Sequence, residues 1–161
     1  MADKDTAPTD EQVRRFTFLS PMLDSALSEM REFAKKKQDG IVSATKIKVL
    51  NRLLTDTKEV LAQEDSAAYL DLLSEDELPQ NSDAVLVLGQ YRAALNSFTS
   101  RNKKTVDYRE TWITKEWIEA RERRRQEEDF DENGEDEEDE DEYDDDEYDE
   151  NDDSDPEERA P

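Results

Sequence analysis

The chain has 161 residues, no cysteine and no histidine, and a formal net charge of −24. That length has room for one domain, and the missing residue types exclude disulfides, the usual zinc sites and histidine- or cysteine-based nucleophilic chemistry. The charge sits at one end: positions 127–161 hold 24 Asp/Glu against the single base Arg159, leaving 22 acidic and 21 basic residues in positions 1–126.

The chain begins Met1-Ala2-Asp3-Lys4-Asp5, without the apolar core of a secretory signal, and no apolar run approaches the ~20 residues a membrane span needs. Ala7-Pro8 reads as a helix breaker, so residues 1–19 are expected to form a flexible arm. Ser20-Pro21 has the form of an N-cap followed by proline in the first helical turn. Leu23, Ala26, Leu27, Met30, Phe33 and Ala34 then recur at three- and four-residue spacing, which makes one apolar stripe. Lys35, Lys36, Lys37 and Gly40 supply the cations and glycine that favour a helix C-terminus.

Ser43 is placed to cap a second helix bearing Ile47, Leu50, Leu53, Leu54, Val60 and Leu61. A short segment follows over about 66–73. Ser74-Glu75-Asp76-Glu77 resembles a capping box but runs into Pro79, so a loop is expected there. Asn81-Ser82-Asp83 opens a further helix to about residue 99. Its start, Ala84-Val85-Leu86-Val87-Leu88, is apolar around the whole circumference, whereas a surface helix needs one stripe. Such a helix must be covered on more than one side, either at the centre of a monomeric bundle or at a subunit interface through Val85, Leu86, Val87, Leu88, Gly89 and Leu95. Gly89 costs about 1 kcal/mol relative to alanine, more tolerable where it admits another backbone.

Positions 101–126 read as a linker and a helix near 107–126, with Trp112, Trp117, Arg121, Arg123, Arg124 and Arg125 as candidate partner-docking residues. Packing of that helix on its own domain is the competing reading. Candidate DNA-contacting cations are Lys35, Lys36, Lys37, Lys46, Lys48 and Arg52, since lysine and arginine bind phosphates without regard to sequence. Arg101, Lys103 and Lys104 form a smaller cluster. For each cluster alone, an ordinary solvated surface is the competing reading.

The acidic stretch 127–161 is expected to be a disordered tail. Three roles stand for it: solubility, competition with DNA for the chain's own basic residues, or engagement of a basic partner. Within it Asp129, Asp131, Asn133, Gly134 and Glu140 match a calcium-loop pattern. So dense a run of acids matches easily by chance, and Asp136 stands where such loops place an apolar residue, so no metal site is expected. No phosphate-binding glycine loop is present, and no cofactor or catalytic residue is expected.

Three stretches, Phe18-Leu19-Ser20-Pro21-Met22-Leu23-Asp24-Ser25-Ala26, Val49-Leu50-Asn51-Arg52-Leu53-Leu54, and Leu78-Pro79-Gln80-Asn81-Ser82-Asp83 running on to Leu95, together resemble the terminase small subunit (DNA maturase A type) of short-tailed double-stranded DNA phages. The likeness spans roughly residues 16–100. It implies an all-α fold of four to five helices assembled as a ring-type homo-oligomer, with 20–100 as the oligomerisation and DNA-packaging core. It also implies a non-enzymatic role: binding concatemeric viral double-stranded DNA and regulating the terminase large subunit, an ATPase–nuclease, in the cytoplasm of an infected bacterium, with no membrane partner. The alternative is an acidic adaptor or DNA mimic that occupies a basic DNA-binding partner.

Overall fold

In the computed structural model, the structure describes residues 4–132, with side chains to residue 128. Among these the fold is helical, as expected: α1 (Asp10–Lys36), α2 (Ala44–Val60), a 3₁₀ turn (Asp65–Tyr69), α3 (Asn81–Asn102), a hairpin of β1 (Lys103–Val106) and β2 (Arg109–Trp112), and α4 (Lys115–Glu132).

α1 starts eleven residues earlier than the Ser20-Pro21 signal suggests, so residues 10–19 belong to the folded unit and not to an arm. Thr9 forms a reciprocal capping box with Gln12, and Asp10 and Glu11 complement the positive end of the helix dipole. Pro8 precedes the cap, where a missing N–H costs nothing. Pro21 lies inside the helix but on its exposed side, where water can satisfy the carbonyl that loses its partner. Ser20 caps nothing; its hydroxyl accepts from Arg92 on α3 at 2.9 Å.

α1 runs antiparallel to α2 and to α3. Toward its start Phe16 meets Phe98 of α3, and beyond its end the Lys37 carbonyl accepts from Asn81 at 2.8 Å. On α2, Arg15 pairs with Glu59 at 2.8 Å while Lys46 sits over the Phe33 ring. α2 and α3 are therefore parallel, and the chain between them must travel back the length of α2. Asn51 holds this return like a strand partner: its amide donates to the Leu73 carbonyl at 2.8 Å and accepts from the Leu73 N–H at 2.9 Å. Lys58 donates to the Leu70 carbonyl at 2.6 Å. Only residues 65–69 of this return take helical form, and 3₁₀ at that; the expected loop at 74–77 is found, with the Ser74 hydroxyl accepting from the Glu77 N–H.

Ser43 caps α2 as expected, accepting from the Lys46 N–H. α3 is capped one residue before the expected cluster, by Gln80 with Asp83. Gly40 is not a left-handed helix terminator, since no glycine among the described residues has positive φ. It is buried in a close approach, and a Cβ there would lie 2.7 Å from the Asn81 amide nitrogen.

The core joins Leu23, Leu27 and Met30 of α1 to Ile47, Leu50 and Leu54 of α2 and to Leu88, Tyr91, Leu95 and Phe98 of α3. Leu61, Leu70 and Leu73 seal it from the return segment. The region expected as one helix near 107–126 instead divides. Asp107 and Tyr108 both have positive φ (49° and 62°), forming the tight two-residue turn that matches strand twist. Across it Lys103 pairs with Glu110. Trp112 packs on Phe16 and Phe98 at ring-centroid distances of 5.1 and 5.9 Å, and Thr114 caps α4 by accepting from the Trp117 N–H at 3.1 Å. The start of α4 is stitched to the start of α1: the Lys115 N–H donates to the Pro8 carbonyl at 2.9 Å, and the Asp10 N–H to the Glu116 carboxylate at 3.0 Å.

Candidate functional site

α3 buries Ala84, Leu88, Tyr91, Ala94, Leu95 and Phe98 on one side. Leu88 and Leu95 are thus core residues and are not available to a second subunit, a correction to their reading as interface residues. Val85 and Val87 are half-buried flanks. What remains outside is a face of Leu86, Gly89, Gln90, Ala93, Asn96, Ser97 and Ser100, spaced as one side of a helix. It has no charge, in a chain where 42% of residues are charged. Arg92 is the one charged residue between positions 84 and 100, and it is drawn inward to Asp24 of α1 at 3.0 Å. Leu86 is 65% exposed, and a Cβ added at Gly89 would meet nothing within 4 Å. Nothing among the described residues therefore accounts for the glycine by close approach.

The structure brings together only part of the expected basic band. Lys35 is paired one turn back with Glu32 at 2.6 Å, and that hydrogen bond and charge hold the Glu32 carboxyl below its ordinary range. The Lys46 ammonium lies 3.5 Å from the Phe33 ring centroid, a cation–π seat that ties α2 to α1. Lys36, Lys37, Lys48 and Arg52 are exposed. Lys48 and Arg52 lie one turn apart on α2. Beside them the groove between α1 and α2 is walled by Ala26, Met30, Val49 and Leu50.

The second cluster separates likewise. Arg101 pairs with the buried Glu64 carboxylate at 3.1 Å, and the Lys104 ammonium donates to the Ser100 carbonyl at 3.1 Å. Trp112 is half-buried, with its ring packed against the core through Phe16 and Phe98. Trp117 is half-buried on α4 with the Arg121 guanidinium 5.2 Å from its ring centroid. Arg123, Arg124 and Arg125 are exposed beyond it. Sequence reasoning missed Arg109, which the hairpin carries to the same cavity as Trp117, Arg121 and Arg124. The available signal was the alternation over 103–112, which is too short to outweigh a helical reading.

Among the described residues no group of three or more acids is arranged to hold a metal ion, and no helix is long and apolar enough to cross a membrane. The calcium-loop match at 129–140 and the acidic stretch from residue 129 onward lie outside the residues whose side chains are described. In comparisons with known proteins, no family model, curated protein or solved structure matches this chain.

Proposed function

We propose that the chain is a non-catalytic, self-associating factor that binds viral double-stranded DNA and regulates a large ATPase–nuclease subunit, in the manner of a terminase small subunit. The observation that supports self-association is the uncharged outer face of α3. A helix whose inward side is already satisfied, and whose outward side presents Leu86, Gly89 and Ala93 without a single charge, fits coverage by a second copy. The body of the chain is close to neutral, so DNA binding would require assembly. A closed ring would repeat Lys36, Lys37, Lys48 and Arg52 around its circumference and multiply the phosphate contacts that drive counterion release. The likeness over residues 16–100 supplies the packaging context.

Native mass spectrometry of the full chain tests the reading. A discrete assembly of many copies supports it, and a monomer at micromolar concentration refutes the ring. Changing Lys48 and Arg52 to glutamate should then weaken DNA binding and flatten its salt dependence; unaltered binding would remove these residues from the interface. The second reading, an adaptor or DNA mimic, is favoured by the 24 acidic residues in positions 127–161. It predicts capture of a basic DNA-binding protein and no DNA binding by any variant.

A further inference from the structure

The β-hairpin and α4 enclose an open cavity of about 430 Å³ whose walls include Arg109, Trp117, Arg121 and Arg124, with Asp107 as the single acid. Among the described residues none of the three guanidinium groups has a carboxylate at ion-pair distance. Three like charges gathered around one cavity repel each other unless an anion joins them. Arg121 lies against the Trp117 face, which leaves the donor edge of its fork free for a carboxylate or phosphate. The site therefore suits a ligand with an aromatic or flat group for the tryptophan wall and several anionic oxygens around it.

We propose that its occupant is the chain's own acidic C-terminal segment, seated through two related motifs, Asp141-Glu142-Tyr143-Asp144 and Asp146-Glu147-Tyr148-Asp149. Each sets one aromatic ring among carboxylates, the complement of a tryptophan ringed by arginines. Reach is not limiting. α4 ends at Glu132, about 17 Å along the axis from Arg121, and the nine residues from there to Asp141 extend up to roughly 30 Å. A ligand tethered this closely acts at an effective concentration on the order of millimolar. It would hold the cavity against untethered anions at micromolar concentration and yield to salt or to a polyanion bound at many points. The inference does not depend on ring assembly or on the DNA-binding reading.

The absence of cysteine permits a clean test on the full chain. A nitroxide is attached at Asn151→Cys, and the indole N–H signal of Trp117, assigned with Trp117→Phe, is compared between its paramagnetic and reduced forms. The expected result is a loss of at least fivefold in intensity at low salt, recovered in 0.5 M sodium chloride and in the triple variant R109Q/R121Q/R124Q. A control variant, K36Q/K37Q/K48Q, removes the same charge elsewhere and should keep the loss. Tyr143→Ala with Tyr148→Ala should recover much of the signal. An indole signal that ignores the label, or that recovers equally in both triple variants, overturns the proposal. A signal that ignores the label but shifts on adding a single-stranded oligothymidylate assigns the cavity to nucleic acid, and overturns it equally.

Discussion

Replacing Gly89 with alanine should move two measurements in opposite directions. Gly89 lies in the interior of α3, and an added methyl group there meets no atom within 4 Å. Within one subunit the change removes only the entropic cost of glycine in a helix, so the folded chain should gain about 1 kcal/mol. For a folded unit of this size that is about 4 °C in Tm, read at a dilution where the wild-type chain is monomeric, because assembly would add its own stabilisation. If a second copy packs on the α3 face, the same methyl enters the contact. Overpacking costs about 1–3 kcal/mol, a weakening of self-association by roughly 5- to 150-fold. Thermal melting and native mass spectrometry on the same samples separate the two effects. A lower Tm in the monomer would show that the glycine serves this subunit's own packing. An unchanged assembly with a raised Tm would remove Gly89 from the interface.

Leu86→Glu tests the same face by another route. With 65% of the residue exposed, about 1–2 kcal/mol of apolar burial is still available to a partner, so the assembly should weaken roughly 5- to 30-fold while the melting curve shifts by no more than about 0.5 kcal/mol. Tyr91→Phe removes a fully buried hydroxyl that has no hydrogen-bond partner among the described residues and should leave the chain as stable or more so, because an unsatisfied buried polar group costs about 1–3 kcal/mol. Burial, and after it the charge of Asp71, pushes the Tyr91 phenol up to about 12. The unfolded chain loses this proton first, near pH 10, so wild-type stability should fall between pH 10 and 12 by an increment that chemical denaturation of the phenylalanine variant lacks. Trp112→Ala opens the cluster with Phe16 and Phe98 and should cost about 3–5 kcal/mol; an unaffected melting curve would show that the hairpin is not part of the cooperative unit.

The elements legible in the sequence are those fixed by local periodicity. The stripe from Leu23 to Met30, the Ser43 cap and the body of α3 follow from three- and four-residue spacing and short-range capping. The start of α1 was equally local: Thr9-x-x-Gln12 is a capping-box pattern, but Pro21 supplied a competing and more conspicuous signal. The hairpin was hidden for a different reason. Its strands are four residues each, its turn is Asp-Tyr and not the usual Asn-Gly or Asp-Gly, and its place is fixed from afar by Trp112 on Phe16 and by the Ile113 N–H donating to the Asn102 carbonyl at 2.8 Å. Charge counts were misleading in the same way. Lys35, Lys46, Arg101 and Lys103 all appear as free cations in a linear reading, yet each has a partner that only folding supplies. Of the five consecutive apolar residues 84–88, Leu86 is the one that packing among the described residues leaves exposed.

The stitch between Pro8 and Lys115 gives the molecule a defined load path. α4 leads directly into the acidic C-terminal segment; its first turn is bound to the beginning of α1 through backbone and side-chain hydrogen bonds, and Ile113 just before it donates to the Asn102 carbonyl at the end of α3. A partner that pulls on that segment therefore pulls on the end of α1 farthest from Lys37, and on the end of α3 farthest from Gln80. Tension would be divided between the two helices that form most of the core, drawn lengthwise from the same end. The exposed outer turns of α4 would unwind first, and the tension would meet the core at the stitch.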